Sequence, residues 1–528
     1  MAQRRLYLSF DVGTSGVKGS IVAITFSPEN EAENIIEIID SRKADYPLYI
    51  GENGVMEQDA EEIFDAISGI SRQVIADTHT DPKDISAIAF CGCLIGSVPV
   101  DEDGKPLCRA FSFLDYRGKV IHDREMKKPF TYQGIRLPAL VRGLRVALSA
   151  PASSKDFIWR IKWLEAYAPE LQSRLCKWLN YKEYFILRAT GRMVMTEDTA
   201  FSTFLFDSRE GRKCFDKRLC KAYGIDPSIF PEVIRSTDVV GALTEKAAME
   251  MGLCPGISVV AGGNDTNVVP IGAGTVIPGD VNIYTGTCGW VSTVTKKRTC
   301  DLMHFMTAMT GVQPDSLNMY GQMETAGRAF RFGRQLLFGD ESDRGLMLKA
   351  IERAPAGSSG VIFAPWLAGS RAPFSDDRIG AMFYNIKADT TRDMLARSVL
   401  EGIGYQLRQL FECQEKALGE KGGNIRLCGG GAVADLSCQI YADILGRTVE
   451  VPYLPQDSGV VGLSCLSAIA LGQLRGFSDI AKLVRAEKTF VPDMKKHELY
   501  NEMYKAFTML YKRNKKPFHI LNGGTGNG

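Results

Sequence analysis

The most regular pattern of apolar and polar positions lies near the start of the chain. Residues 6–24 consist of an apolar run, a turn rich in Gly, Thr and Ser, and a second run rich in β-branched residues. Two such runs on either side of a glycine-containing turn predict a β-hairpin. Asp11 is placed where the first predicted strand ends.

Residues 281–293 repeat this strand, turn and strand pattern near the middle of the chain. Their turn contains Thr285, Gly286 and Thr287, and the order Thr-Gly-Thr-x-Gly resembles the Gly-Thr-Ser-Gly of the first turn. The two stretches are separated by roughly half the chain, which indicates a duplicated architecture.

The first turn offers groups that suit a phosphate ligand. Gly13 allows close approach of the backbone, the hydroxyls of Thr14 and Ser15 can donate hydrogen bonds, and Lys18 adds positive charge. The Asp11 carboxylate would repel a phosphate unless a divalent cation lay between them. An ordinary hairpin with a capping aspartate is the alternative, and this turn alone does not decide between the two interpretations.

Three further stretches have clear patterns. Helical spacing of isoleucine and valine predicts a helix over about residues 60–76, and the short apolar stretch 460–471 predicts a buried helix, not a membrane span. Residues 85–90 read as a strand, so Cys91–Gly96 follows its C-terminal end. In open α/β sheets such ends face the ligand, which makes residues 91–96 candidate ligand contacts.

The bulk composition excludes several classes of protein. With 528 residues the chain is too long for one core, so we expect two domains. The 63 basic and 62 acidic side chains nearly cancel, which argues against a nucleic-acid partner, and no signal or membrane segment is predicted. The 13 cysteines have no metal-ligand or redox spacing, as expected for a cytoplasmic protein. A homodimer is an open possibility.

A third glycine-rich turn follows a predicted strand at residues 425–428. Gly429, Gly431 and Ala434 fit G-x-G-x-x-A, and Glu450 follows about twenty residues later, as in a dinucleotide fingerprint. A dinucleotide-dependent oxidoreductase is therefore a rival class. However, the fingerprint would leave both hairpins without a role, and too little chain follows Glu450 for the rest of a six-stranded sheet.

Two phosphate hairpins on opposite sides of a cleft are the signature of the actin-like ATPase fold. Within that superfamily the chain resembles the FGGY carbohydrate kinases, and among them the xylulokinase-like branch most, over about residues 6–473. The resemblance implies an α/β fold with two actin-like ATPase (ribonuclease H-like) domains and a nucleotide and sugar cleft between them. We place an N-terminal domain at residues 1–255, a C-terminal domain at 256–521 and a disordered tail at 522–528.

The resemblance also implies roles for particular residues. Asp265 would be the catalytic base and Asp11 the ligand of Mg²⁺, contributed by different domains, with Asp198 in support. The nucleotide ATP would contact Gly13, Thr14, Ser15, Lys18, Thr285, Gly286, Thr287, Gly429, Gly430, Gly431 and Ala432. The sugar would contact Asp115, Arg117, Cys93, Leu94, Asn264 and Asp265. For Asp115 and Arg117 a structural ion pair is the alternative.

The implied function is ATP-dependent transfer of the γ-phosphoryl group to a hydroxyl of a small sugar, first of all a ketopentose such as xylulose. Xylulokinases usually have Ser-Gly-Gln-Met-His-Gly where this chain has residues 91–96, and the Gln and His positions are Cys93 and Ile95 here. A tetritol, hexulose or deoxy-sugar is therefore an alternative acceptor. A non-kinase ATPase of the actin-like superfamily is the other rival class.

Overall fold

The computed structural model describes residues 3–132, 135–341 and 343–523. The strands in chain order are β1 (Gln3–Val12), β2 (Gly16–Phe26), β3 (Ile35–Asp45), β4 (Tyr49–Ile50), β5 (Met56–Gln58), β6 (Ile85–Gly92), β7 (Val98–Val100), β8 (Ala110–Phe111), β9 (Thr131–Tyr132), β10 (Ile135–Arg136), β11 (Lys177–Leu179), β12 (Val194–Thr196), β13 (Phe206–Asp207), β14 (Cys214–Phe215), β15 (Glu232–Ile234), β16 (Val239–Ala242), β17 (Ser258–Asn264), β18 (Val281–Thr285), β19 (Gly289–Thr295), β20 (Cys300–Asp301), β21 (Met306–Thr310), β22 (Leu317–Met323), β23 (Ile362–Ala364), β24 (Met382–Tyr384), β25 (Ile425–Cys428), β26 (Val449–Pro452) and β27 (Ala486–Phe490). The helices are α1 (Ala60–Thr78), α2 (Lys119–Met126), α3 (Leu137–Val146), α4 (Phe157–Tyr167), α5 (Pro169–Gln172), α6 (Tyr181–Thr190), α7 (Glu197–Phe201), α8 (Lys217–Tyr223), α9 (Glu245–Met251), α10 (Asp265–Gly272), α11 (Gly327–Phe338), α12 (Arg344–Arg353), α13 (Arg392–Leu418), α14 (Asp435–Leu445), α15 (Ser458–Ala470), α16 (Phe477–Leu483) and α17 (Met494–Leu521).

The chain forms two compact units, as expected, but they are not divided at residue 255. The first unit contains the residues up to Val276 together with 309–317 and 458–484, and the second contains 277–308, 318–457 and the residues from Arg485 onward. The predicted boundary is corrected because β17 pairs in parallel with β6 and so belongs to the first sheet. Of the predicted disordered tail, residues 524–528 lie outside the described residues.

The first unit is built on a six-stranded sheet with the order β16-β17-β6-β1-β2-β3. Strands β1, β6 and β17 are parallel, and the remaining pairs are antiparallel. Side chains alternate between the two faces along each strand. Phe10 therefore packs on one face in a cluster with Phe64 of α1, whereas Tyr7 packs on the other face with Val460 and Leu463 of α15. The sheet is thus a buried layer between helices.

The eight-stranded sheet has the order β20-β21-β22-β19-β18-β25-β26-β27. Its hairpin β18–β19 is followed by the parallel strands β25 and β26 and by the antiparallel edge strand β27. This succession repeats that of β1–β2, β6, β17 and β16 in the first sheet. The predicted duplication is therefore confirmed at the level of strand order.

Most local predictions agree with the structure. Both hairpins form, the helix predicted from residue 60 is α1, and the buried helix near residue 460 is α15. Helix α1 begins at Ala60 because the Asp59 side chain accepts hydrogen bonds from the N–H groups of Glu61 and Glu62. Among the described residues, no helix combines the length and apolar character that crossing a membrane requires.

Candidate active site

Three parallel strands of the first unit end at the same edge of the sheet. The register aligns Asp11 of β1 with Cys91 of β6, and Cys91 with Gly263 of β17. Two strand spacings, about 10 Å, therefore separate the backbone at Asp11 from the tip of β17. The expectation that Asp11 and Asp265 come from different domains is wrong, because both belong to this one sheet edge.

Asp265 is the residue that immediately follows β17 and begins α10. Its side chain is half-buried, and its Oδ1 atom accepts a hydrogen bond of 2.8 Å from the N–H of Thr266. Burial raises the pKa of the Asp265 carboxyl to about 7, and the nearby carboxylates of Asp11 and Asp198 contribute to the shift. A carboxyl group with a pKa near neutrality is suited to accept a proton.

A buried polar network holds the tip of β17. The Asp198 carboxylate accepts a 2.7 Å hydrogen bond from the N–H of Asn264 and a 2.5 Å hydrogen bond from the hydroxyl of Thr196. The ammonium of Lys182 donates to the same hydroxyl at 2.8 Å and also to Glu183. Because all of these groups are buried, the network fixes the backbone that presents Asp265.

The Asn264 side chain is fully buried beside this network. Its Oδ1 atom accepts a 3.4 Å hydrogen bond from Thr199, and its Nδ2 atom has no partner among the described residues. A buried amide that keeps a free donor is unusual, since the desolvation cost is not recovered. The predicted contact between Asn264 and the sugar remains a proposal.

Asp11 is half-buried one residue before the end of β1, directly opposite Lys18 in the register of β1 and β2. Gly459, the second residue of α15, lies against its carboxylate, and a Cβ atom at Gly459 would be 2.4 Å from Asp11 Oδ2. Only glycine permits this approach. Sequence reasoning missed Gly459, for which the only signal was its position near the start of an apolar helix.

The Asp11 carboxylate fits a hard divalent cation, because carboxylate oxygens are ligands of the type that Mg²⁺ prefers. In the part of the chain that the structure describes, no cluster of three or more His, Cys, Asp or Glu side chains could hold a metal by itself.

The first hairpin turn places three predicted residues at the surface of the site. Gly13 and Ser15 are exposed and Thr14 is half-buried, and the N–H of Gly13 donates a 3.0 Å hydrogen bond to the carbonyl of Gly16. The phosphate contacts predicted here are therefore gathered in one accessible turn.

The predicted nucleotide contacts of the second unit also lie together. A Cβ atom at Gly431 would be 2.2 Å from Thr285 Oγ1, and Gly429 has the positive φ of +86° and also packs against Thr285. The Thr285 hydroxyl donates a 3.3 Å hydrogen bond to the carbonyl of Cys428. The glycine turn after β25 thus lies against the turn that follows β18, which contains Gly286 and Thr287, and buried Ala432 continues it.

The geometry of Asp115 and Arg117 favours the ion-pair alternative. Asp115 has no exposed surface, and its Oδ2 atom accepts hydrogen bonds from Arg117 Nη2 at 2.7 Å and from the N–H of Met56 at 2.8 Å. The Arg117 guanidinium also pairs with Glu57 at 2.7 Å and lies over the ring of Trp163. Both groups are therefore satisfied within the protein, and a sugar contact by them lacks geometric support.

The loop after β6 contains the two other predicted sugar contacts. The Cys93 thiol is buried and faces the first hairpin, with Sγ 3.7 Å from the carbonyl oxygen of Val12 and 4.0 Å from Thr14 Oγ1. Leu94 is half-buried, and Ile95 is buried. The side chains of Leu94 and Ile95 supply no hydrogen-bonding group to a ligand.

Comparison with known proteins gives a consistent result over nearly the whole chain. Residues 6–272 match the model of the N-terminal domain of the FGGY family of carbohydrate kinases, and residues 281–471 match that of its C-terminal domain. A xylulose kinase of Staphylococcus epidermidis is 27% identical over 522 residues, which cover 97% of this chain and 98% of the relative.

Solved structures agree in fold. A gluconate kinase of Lactobacillus acidophilus has a TM-score of 0.85 at 22% identity, and the match covers 98% of this chain and 100% of that one. A ligand-bound xylulose kinase from the same organism has a TM-score of 0.84 with the same identity and coverage. At this identity the likeness shows the fold alone.

Proposed function

Because the chain belongs to the FGGY family of carbohydrate kinases, it is a sugar phosphotransferase, and we propose that its acceptor is a ketopentose such as xylulose. The observation that carries the chemistry is the placement of Asp265. It is a half-buried carboxyl with a pKa near 7 at the same sheet edge as Asp11. Phosphoryl transfer to an alcohol needs such a group to accept the hydroxyl proton.

In the proposed reaction each residue has a defined task. The Asp265 carboxylate accepts the proton of the sugar hydroxyl, and the Asn264 amide donates a hydrogen bond that orients the sugar. Asp11 would hold Mg²⁺, which would supply charge neutralisation for the phosphate oxygens of ATP. The N–H and hydroxyl groups of residues 13–15 bind phosphate oxygens.

The second unit is proposed to bind the nucleotide through residues that carry no charge. Thr285, Gly286 and Thr287 present backbone and hydroxyl groups suited to phosphate oxygens. The glycine turn at residues 429–431, followed by Ala432, offers flat backbone surface for the adenosine. The close packing of its first and third glycines against Thr285 leaves no room for larger side chains, which supports this proposal.

Xylulose is the first candidate because the relative of 27% identity is named a xylulose kinase. The apolar side chains of Leu94 and Ile95 favour a second candidate, an acceptor with fewer oxygen atoms to satisfy, such as a deoxy-sugar or a tetritol. A buried hydroxyl without a partner costs about 1–3 kcal/mol, which is enough to change the order of preference between two acceptors.

The test is a panel of acceptors assayed with ATP and Mg²⁺ by release of ADP. The panel contains D-xylulose, gluconate, a hexulose, erythritol and a deoxy-pentose, with a reaction lacking acceptor as the control. We expect ADP release that depends on the acceptor and is fastest with D-xylulose. ADP release at the same rate without any acceptor would contradict the kinase proposal, and a faster deoxy-sugar or tetritol would replace only the acceptor.

The proposal includes a cytoplasmic location, where ATP and Mg²⁺ are abundant. All 13 cysteines are free thiols, as expected for a reducing compartment. Fractionation of the producing cells would check this part of the proposal, and recovery of the protein outside the cytoplasmic fraction would contradict it.

A further inference from the structure

The four carbonyl oxygens of the first hairpin turn are all held by groups of the protein. The Tyr46 hydroxyl donates to the carbonyl of Gly13, and Gln58 Nε2 donates to that of Thr14 at 2.9 Å. The N–H of Tyr46 reaches the carbonyl of Ser15 at 3.3 Å, and the N–H of Gly13 reaches that of Gly16 at 3.0 Å. The oxygens of the turn are therefore bound by the hairpin itself and by two residues from outside it, Tyr46 and Gln58.

This arrangement matters for an anion. Carbonyl oxygens repel phosphate, whereas successive N–H groups attract it, so an anion-binding turn must keep its oxygens turned away from the ligand. Among the loop and turn hydrogen bonds of the described residues, none joins the N–H of Thr14 or Ser15 to a backbone oxygen. Tyr46 and Gln58 thus stabilise the turn conformation that a phosphate requires.

Gln58 has a second contact that leads away from the turn. Its side chain is buried, and its Oε1 atom accepts a 3.0 Å hydrogen bond from the hydroxyl of Tyr181. The N–H of Tyr181 donates to Asn180 Oδ1, and Asn180 Nδ2 donates to the carbonyls of Cys93 at 3.1 Å and Leu94 at 2.8 Å. Hydrogen bonds at both ends of the buried Tyr181 residue therefore connect the first hairpin turn with the loop after β6.

We propose that Gln58, Tyr181 and Asn180 are positioning residues that couple the phosphate turn to the sugar loop. A sugar that orders the loop at Cys93 and Leu94 would also hold the Thr14 carbonyl in place through these hydrogen bonds, and the nucleotide would bind more tightly. The inference rests on the proposed function, because it assigns phosphate to the turn and sugar to the loop. It assigns no chemical step to these three residues.

The molecule contains a matched control at the open end of the same hairpin. There the Tyr7 hydroxyl donates to Gln473 Oε1 at 2.7 Å, and Gln473 Nε2 donates to the carbonyls of Gln3 at 2.7 Å and Ile24 at 2.9 Å. This second bridge likewise links a tyrosine hydroxyl, a glutamine side chain and backbone carbonyls. It lies at the end of the β1–β2 pair that is farthest from the turn. It stabilises the hairpin without reaching the sugar loop.

The experiment measures how much the sugar strengthens nucleotide binding. Calorimetry measures the Kd of the protein for the non-hydrolysable analogue AMP-PNP in the presence of Mg²⁺. The measurement is made with and without the acceptor that is fastest in the panel. In the wild type we expect the acceptor to lower this Kd by roughly 5-fold or more, within the usual range for coupled sites. In Gln58→Met and in Tyr181→Phe we expect the ratio of the Kd without acceptor to the Kd with acceptor to fall close to 1. Tyr181→Phe keeps the ring that stacks on Phe185, so it tests the coupling if Gln58→Met fails to fold.

The controls separate coupling from general loosening of the hairpin. Gln473→Met and Tyr7→Phe should keep the wild-type ratio, whereas Tyr46→Phe should weaken nucleotide binding equally with and without the acceptor. The inference is overturned if the wild type shows no coupling, if Tyr181→Phe keeps it, or if the open-end variants lose it as well. Failure of the proposed function would be seen separately, as absence of acceptor-dependent ADP release by the wild type.

Discussion

The two hairpins of this protein share a fold but are supported by different parts of the chain. In the first unit, the side chains of Tyr46 and Gln58 bind two of the four carbonyl oxygens of the turn, those of Gly13 and Thr14. In the second unit, backbone N–H groups at the start of α11 bind the turn, since residues 326 and 328 donate to the carbonyl of Thr287 and residue 327 to that of Gly286. The first turn therefore depends in part on side-chain identity, whereas these bonds of the second turn depend on the backbone alone.

The ends of the corresponding strands differ as well. In the first unit, Asp11 lies near the end of β1 and Asp265 follows β17. The equivalent positions of the second unit are occupied by Tyr284, the next-to-last residue of β18, and Tyr453, the residue after β26. A duplicated scaffold thus carries carboxylates in one copy and uncharged tyrosines in the other. The comparison teaches that the proposed chemistry belongs to the first unit and the proposed nucleotide contacts of the second are steric.

The largest effect is expected for Asp265→Asn, which keeps the side-chain volume and removes the proton acceptor. General-base assistance is typically worth about 10²–10⁴-fold in rate, so kcat should fall by at least that order. The KM for ATP should change little. Steady-state kinetics measure both constants, and the unfolding temperature serves as the control for folding. A variant with wild-type kcat would show that the base lies elsewhere.

Asp11→Ala should have the next largest effect, because it removes the carboxylate proposed to hold the cation. We expect the apparent affinity for Mg²⁺ to fall by at least about 10–100-fold, together with most of the activity. Activity measured against Mg²⁺ concentration tests this, with nucleotide binding in EDTA as the control that should hardly change. Activity within a few-fold of wild type would leave Asp11 as an ordinary strand residue.

Gly459→Ala tests the contact between α15 and Asp11. The new Cβ atom would be 2.4 Å from Asp11 Oδ2, so the carboxylate must move, and a displacement of this kind can cost about 10–100-fold in rate. Gly69→Ala in α1 is the matched control, since no atom lies within 4 Å of its Cβ position. That control should keep full activity and unfold at a slightly higher temperature, because alanine stabilises a helix interior by about 0.5–1 kcal/mol. Equal activity of both variants would contradict the proposed role of this contact.

The dependence of activity on pH should report the protonation of Asp265 in the first unit. Because the pKa of Asp265 is raised to about 7, the carboxyl is protonated below that pH and cannot accept the hydroxyl proton. We expect kcat/KM for the sugar to fall about tenfold per pH unit below pH 7 and to level off above it. Asp265→Asn should lack this acid limb. An unchanged limb in that variant would assign the titration to another group.

The smallest effect is expected in the second unit. Gly431→Ala would place a Cβ atom 2.2 Å from Thr285 Oγ1, so the turn must shift and the KM for ATP should rise by about tenfold. The KM for the sugar should stay the same. Gly430→Ala meets no atom nearer than 4.0 Å, so it alters the surface of the turn without this clash. A raised KM for the sugar in Gly431→Ala would contradict the proposal that this turn contacts the nucleotide and not the sugar.

Local patterns along the chain were enough to predict the secondary-structure elements and the residue types of the site. The hairpins followed from apolar runs on either side of glycine-rich turns, and α1 from the helical spacing of isoleucine and valine. Asp11 and Asp265 were recognisable because each stands at a strand end beside a motif of the family. These features are local, since they depend on residues within one or two turns of each other in the chain.

Which elements belong together depends instead on long-range packing. The pairing of β17 with β6 placed Asp265 in the first unit, and the return of residues 458–484 placed Gly459 against Asp11. The bonds of Gln58 and the closed ion pair of Asp115 were equally invisible in the sequence. The physical reason is that several strands have similar apolar patterns, so the choice among partners depends on packing between residues far apart in the chain.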